Sequence, residues 1–121
     1  MTEPRTVTVP TIDHGDVTIP EPSWCTGHDQ ARPEYLRDTG HAGTPNRLSY
    51  AGTELGVAKL VQNPLVEHSD RSVMVLVELG GDGLGLRSTE LDDLAVILVD
   101  FAGTLRTLAR QLASLNAGEG L

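Results

Sequence analysis

Polar and apolar residues alternate at the start of the chain. Thr6-Val7-Thr8-Val9 and Val17-Thr18-Ile19 put branched apolar side chains at every second position, the period of a strand with one covered face. Asp13-His14-Gly15-Asp16 between them has turn chemistry, so residues 6–19 read as a hairpin. Pro10, Pro20 and Pro22 bracket these strands and assign them to sheet edges.

Residues 20–46 lose the pattern. They are rich in Pro, Gly, Asp, Thr and His, and a loop of about 26 residues is long for a compact domain. Alternation returns in Arg47–Ala51 and Leu55–Gln62, with Gly52-Thr53 at the turn. The second of these is read as a strand, although Thr53 could also cap a short helix ending before Asn63-Pro64. Ser72–Leu79 is the clearest strand: Val73, Val75, Val77 and Leu79 point one way, Met74 and Leu76 the other. Apolar residues on both faces predict a central strand, and Gly80-Gly81-Asp82-Gly83 ends it.

From Ser88 to Asn116 the period changes to that of a helix. Ser88 or Thr89 can cap it, with Glu90, Asp92 and Asp93 in the first turns and Arg106 and Arg110 toward the far end. Leu91, Leu98, Leu105 and Leu112 recur every seven residues, and Leu94, Phe101, Leu108 and Leu115 follow three positions behind. That is the spacing of a narrow coiled-coil seam. Ala95, Val96, Ile97 and Val99 widen the apolar surface in the first half. A helix of this length spans about 42 Å, whereas a globule of this size is about 35 Å across. The expectation is that the first half lies on the sheet. The second half, with a seam of Leu98, Phe101, Leu105, Leu108, Leu112 and Leu115, would then meet a second copy in a homodimer; the alternative is a single long helix covering one sheet, with no dimer.

The whole predicts one α+β domain over residues 1–121. Its hairpin (6–19), long Cys/His loop (20–46) and small, mainly antiparallel sheet (47–79) are covered by a single C-terminal helix (88–116). Aromatic residues are few, namely Trp24, Tyr35, Tyr50 and Phe101, so Leu, Val, Ile and Ala must build the core. The net charge of −8 repels phosphate and anionic lipid and disfavours direct binding to nucleic acid or membranes. A single cysteine excludes an internal disulfide. With no basic and apolar leader at Met1-Thr2-Glu3-Pro4-Arg5 and no apolar run long enough for a membrane span, a cytoplasmic location is expected.

Candidate chemistry concentrates in Pro22-Ser23-Trp24-Cys25-Thr26-Gly27-His28, which contains the only cysteine and the only tryptophan. Cys25 and His28 can reach one ion from a tight turn that Gly27 permits, and His41 lies 13 residues further on in the same loop. Thiolate and neutral imidazole suit tetrahedral zinc, and an ion would explain how a loop with few apolar residues holds a shape. For the fourth ligand His14 ranks first, then Glu21 and Asp29, and last His68. The alternative is a small buried Cys25 with exposed histidines around it. Trp24 is read as a core anchor for the loop.

Other chemistries have less support. No second His or Cys follows His41 at zinc-finger spacing. Cys25 with His28 or His41, oriented by Asp29 or Asp38, would make a thiolate–imidazole pair and hence a small zinc- or thiol-dependent enzyme. Gly80–Gly85 lacks the Lys-Ser/Thr ending of a phosphate loop.

With Thr11-Ile12-Asp13-His14-Gly15, Pro22–His28 and His41-Ala42-Gly43, the chain resembles a family of small actinobacterial, streptomycete-type proteins carried as a domain of unknown function. Its distinctive motif is Pro-x-Trp-Cys-x-Gly-His. The resemblance implies a Cys-Pro-x-Trp-Cys opening with histidines after it, and Glu21 stands here where the first of those cysteines would be. It implies no activity. The reading is a non-enzymatic, acidic interaction or regulatory protein, zinc-stabilised and homodimeric, acting through another protein.

Overall fold

A computed structural model describes residues 5–29, 32–66, 70–81 and 83–118. The elements run β1 (Thr6–Thr11), β2 (Gly15–Pro20), a short 3-10 turn (Leu36–Asp38), β3 (His41–Ala42), β4 (Asn46–Tyr50), β5 (Thr53–Gln62), β6 (Met74–Leu79) and α1 (Ser88–Asn116). The architecture is α+β, with an antiparallel sheet, an N-terminal hairpin and one long C-terminal helix packed on the sheet.

The alternation of residues 6–19 folds as read. β1 and β2 pair antiparallel from Thr6↔Pro20 to Thr11↔Gly15. Val9 and Ile19 are buried on one face, while Thr8 and Thr18 share a hydroxyl hydrogen bond of 2.8 Å on the other. Among the described residues these two strands form a sheet of their own and pair with no strand of the second sheet.

The second sheet is built around β5. Its Ala58 pairs with Asn46 of β4 and also with Val77 of β6, and its Val61 pairs with Ala42 of β3 and Met74 of β6. β3 and β4 therefore follow one another along one edge of β5, and β6 occupies the other. β6 was expected to be central and is an edge strand. Met74, Leu76, Val77 and Leu79 remain exposed, because its two apolar faces are not both covered within the chain. The β4–β5 turn falls at Ala51-Gly52, one residue earlier than expected, with both residues at positive φ (51° and 82°). That is the twist of a two-residue hairpin turn.

α1 spans the expected residues, but its cap differs. The Arg87 backbone N–H donates to the Glu90 carboxylate at 3.0 Å, so Glu90 closes the first turn without help from Ser88 or Thr89. The division of the helix is also reversed. Phe101, Leu108 and Leu115 are buried against Leu48, Ala58 and Leu60, with Leu105 and Leu112 packed beside them. The second half therefore lies on the chain's own sheet, while Leu91, Val96, Leu98 and Val99 in the first half are exposed. Of the seam expected to face a second copy, only Leu98 is open to solvent. Phe101, Leu105, Leu108, Leu112 and Leu115 are taken up by the core. A three-four apolar repeat does not distinguish a partner helix from a sheet, since either is met by one stripe. Among the described residues no helix is long and apolar enough to cross a membrane.

Candidate metal centre

Four side chains from three parts of the chain converge where the hairpin meets the second sheet. Glu21 follows β2 directly. Its N–H donates to the Arg5 carbonyl at 2.8 Å, which prolongs the hairpin ladder by one step and fixes the residue at the open end. The chain then turns, with the Cys25 N–H on the Pro22 carbonyl at 3.1 Å. Gly27, at φ 106°, takes a backbone conformation open to glycine but strained for other residues, and this brings His28 back toward Cys25. The Thr26 N–H donates to the Ala42 carbonyl at 3.0 Å, which ties this turn to β3, where His41 sits. Gly40 lets β3 approach β5 closely: a Cβ there would lie 2.9 Å from the Gln62 carbonyl oxygen. Trp24 packs against the core cluster as an anchor and stands edge-on to His41, ring centroids 6.2 Å apart.

Glu21, Cys25, His28 and His41 each offer one donor atom, and all four atoms lie within 4.8 Å of one another. His28 Nε2 is 3.6 Å from Cys25 Sγ, 3.2 Å from Glu21 Oε1 and 3.4 Å from His41 Nδ1. His41 Nδ1 is 3.0 Å from Glu21 Oε1. The side chains of His41, Glu21 and His28 are only 2%, 7% and 10% exposed, and Cys25 is buried. These four residues can hold a metal ion.

Hydrogen bonding alone does not account for the arrangement. A neutral imidazole nitrogen has either one proton or one in-plane lone pair to direct, and His28 Nε2 has three polar neighbours. Four of the six donor separations, at 3.0–3.6 Å, lie near the edges of a coordination tetrahedron, and the other two, from Cys25 Sγ to Glu21 and His41, are within 4.8 Å. Bonds of about 2.0–2.1 Å to nitrogen or oxygen and about 2.3 Å to sulfur set donor pairs about 3.3–3.4 Å apart, or about 3.6 Å for sulfur and nitrogen.

The electrostatics of these four side chains bear on the same question. Burial disfavours the charge on Glu21, but the Cys25 thiol and the fields of His28 and His41 outweigh it and hold the carboxyl below its usual range. Burial pushes the Cys25 thiol up, and its hydrogen bond to Glu21 adds to this; N–H groups of Gly27 and Ala42 oppose it. Burial lowers His41, against the pull of Glu21, and so favours the neutral ring that ligates metal. A raised thiol is the opposite of an activated nucleophile.

Of the residues expected as ligands, Cys25, His28 and His41 are brought together, with Glu21 as the fourth member of the cluster, and His14 lies apart from them. His14 sits at the hairpin turn beside Asp13 Oδ1 at 3.2 Å, with more than half its side chain exposed. The six residues of β2 separate it from the open end by about 20 Å. Asp29 is exposed and outside the cluster, and His68 lies outside the described residues. Two signals pointed to Glu21 in the sequence: its place one residue past a regular hairpin, and its position where the resembled Cys-Pro-x-Trp-Cys opening has its first cysteine.

The domain of unknown function DUF6907 is recognised over residues 6–114. The chain belongs to the DUF6907 family. No curated protein and no solved structure matches it. In this DUF6907 chain the matched stretch covers the hairpin, all four clustered residues, the sheet and nearly all of α1. A cavity of about 970 Å³ between the Ser23–Thr26 turn and the Asp100–Gln111 side of α1 includes Cys25 in its lining.

Proposed function

We propose that this protein is a zinc-stabilised, non-catalytic interaction module that acts by binding another protein. The observation that carries the zinc part is the convergence of one sulfur, one oxygen and two nitrogens within 4.8 Å of one another, four of their six separations being 3.0–3.6 Å. Four protein donors leave no open position for water or substrate, the mark of a structural zinc site as opposed to a catalytic one.

The place of the cluster supports the same role. The hairpin shares no backbone ladder with the second sheet, and its buried Val9 and Ile19 stand apart from the core of Leu48, Leu60 and Phe101. Loop contacts help: the Ile12 N–H donates to the Glu34 carbonyl at 2.8 Å, and the Leu36 N–H to Asp13 Oδ1 at 2.9 Å. An ion held by Glu21 from the hairpin, Cys25 and His28 from the loop and His41 from the sheet would lock all three parts together. The acidic surface then suits a basic protein partner. The raised Cys25 thiol counts against a thiol-dependent enzyme at this position, although a cavity adjoins it.

Metal analysis of the purified protein tests the reading. One zinc per chain, lost in Cys25→Ser, is expected. A wild type that binds no zinc when offered it would remove the basis of the proposal. Cobalt(II) in the same site should give the visible bands of tetrahedral coordination, with a thiolate charge-transfer band absent from Cys25→Ser.

A further inference from the structure

We infer that the cleft between the metal loop and α1 is the partner-binding site, and that it takes an extended basic segment of another protein, seated by an arginine. The inference rests on the reading that this protein acts by binding another protein, and it specifies the chemistry of that partner.

The cleft has a volume of about 970 Å³. One wall is the Ser23–Thr26 turn. The other is a single stripe of α1, Asp100, Gly103, Thr104, Thr107 and Gln111, spaced by threes and fours as one helix face requires. The hydrogen bonding of this lining is one-sided. The hydroxyls of Thr26, Thr104 and Thr107 donate to the carbonyls of Ala42, Asp100 and Gly103 at 3.3, 3.4 and 3.1 Å. The Asn46 amide group donates to the carbonyls of Thr44 and Ala58 at 3.4 and 3.1 Å. A hydroxyl has one proton and a side-chain amide two. These residues have therefore spent their donors within the chain and keep only acceptor oxygens for a ligand. Asp100 adds an exposed carboxylate, which also only accepts. Among the described residues that line the cleft, no lysine or arginine offsets its charge.

Acceptor oxygens and an uncompensated negative charge call for a cation rich in N–H groups. A guanidinium supplies more such donors than an ammonium, in one plane, and the Trp24 ring beside the cleft adds to its attraction. Carboxylates and phosphates bring only acceptors and are disfavoured by the same count. The shape selects a polypeptide over a free cation. From Asp100 to Gln111 the stripe runs about 16 Å, the length of about five residues of extended chain. Pockets for small molecules are mainly apolar, whereas hydroxyls, amides and glycines dominate here. Gly103 keeps the middle of the stripe bare, at a cost to the helix: a Cβ there would meet nothing within 4 Å beyond its own stretch of helix. The net charge of −8 draws a basic segment toward this surface.

Capped pentapeptides of alanine with a central arginine, lysine, glutamine or glutamate test this against the full chain, with zinc content measured on the same sample. The arginine peptide should change Trp24 fluorescence saturably, with a Kd in the millimolar range, and move the amide resonances of Thr104 and Thr107. The lysine peptide should bind more weakly, and the glutamine and glutamate peptides not at all. Asp100→Asn should weaken binding of the arginine peptide about fivefold. Gly103→Leu should abolish it with circular dichroism unchanged and Tm no lower, because the new side chain fills the cleft and replaces a helical glycine. The absence of a saturable change with the arginine peptide overturns the inference. So does equal affinity for the glutamate peptide, or binding that survives Gly103→Leu or is untouched by Asp100→Asn. Arginine amide binding as tightly as the peptide would also overturn it, by making the ligand a free cation. Peptide binding by a protein that takes up no zinc would remove the metal reading and leave this one standing; a zinc-loaded protein indifferent to the peptide does the reverse.

Discussion

Removing the metal should loosen the fold by a calculable amount. Structural zinc in small domains contributes about 10–16 kcal/mol of binding free energy at neutral pH; near the lower end this corresponds to a Kd of about 10 nM. With free zinc about a thousandfold above Kd, mass action stabilises the native state by about 4 kcal/mol. For a chain of 121 residues, the unfolding entropy at about 2.1 cal/mol/K per residue is about 0.25 kcal/mol/K. A chelator should therefore lower Tm by about 16 °C, measured by circular dichroism at fixed protein concentration. The loss should fall first on the hairpin and the loop, because α1 and β4–β6 keep a core that does not pass through the ion. Amide exchange would show it: N–H groups of Val7, Val9 and Cys25 should lose protection on chelation well before those of Leu60 and Leu108. A Tm indifferent to chelator in a protein that does contain zinc would refute the view that the ion holds the sheets together.

Several other outcomes are expected. Phe101→Ala and Leu108→Ala should each cost about 2–5 kcal/mol by denaturant unfolding, whereas Val96→Ala, 62% exposed, should stay within about 0.5 kcal/mol. Equal costs would contradict the orientation of α1. Zinc affinity should fall about tenfold for each unit that pH drops below the Cys25 pKa, since the thiol must lose its proton to bind. Burial raises that pKa before metal arrives, so the loss should be under way at neutral pH in a competition titration, while His41, lowered by burial, adds nothing until more acid conditions. Glu21→Cys should bind zinc more tightly than wild type and Glu21→Ala less tightly, read with the same chelator competition; His14→Ala should leave it unchanged. Ala51→Asn should stabilise by about 0.5–1 kcal/mol, because Ala51 is held at φ 51°, where asparagine is less strained.

Local rules made the elements legible. Period two gave β1, β2, β4 and β5, and the change to a helical period at Ser88 gave α1. What those rules do not contain is which apolar face meets which. Ser72–Leu79 looked central because both its faces are apolar, yet Met74, Leu76, Val77 and Leu79 are exposed: apolar composition on two faces does not say that the same chain covers both. The Leu98–Leu115 stripe carries the same ambiguity. Its spacing predicted burial correctly for Phe101, Leu108 and Leu115, but not the identity of the surface that buries them. The metal cluster was partly readable because thiol and imidazole are scarce and specific. Glu21 was harder to single out. A carboxylate after a strand is common in this acidic chain, and its role comes from the ladder step to Arg5, which no residue count reveals.

The composition suggests why such a centre belongs in this chain. A domain of 121 residues has a modest interior in any case, and here the buried hydrophobics form two groups, with Val9 and Ile19 in the hairpin and the larger set beneath α1. Joining them by packing alone would take bulky side chains across residues 20–46, and among the described residues there Trp24 is the only large one that reaches the core. Coordination needs less mass: four donor atoms gathered round one ion can join three segments of chain in the space of a single side chain. The Glu21 carboxylate, held in its charged form by Cys25, His28 and His41 in spite of burial, is suited to a cation. Under the proposed function all four donors would be committed to the ion, which would leave none of them for catalysis. The surface left for function is the outside of the domain, including the cleft beside α1.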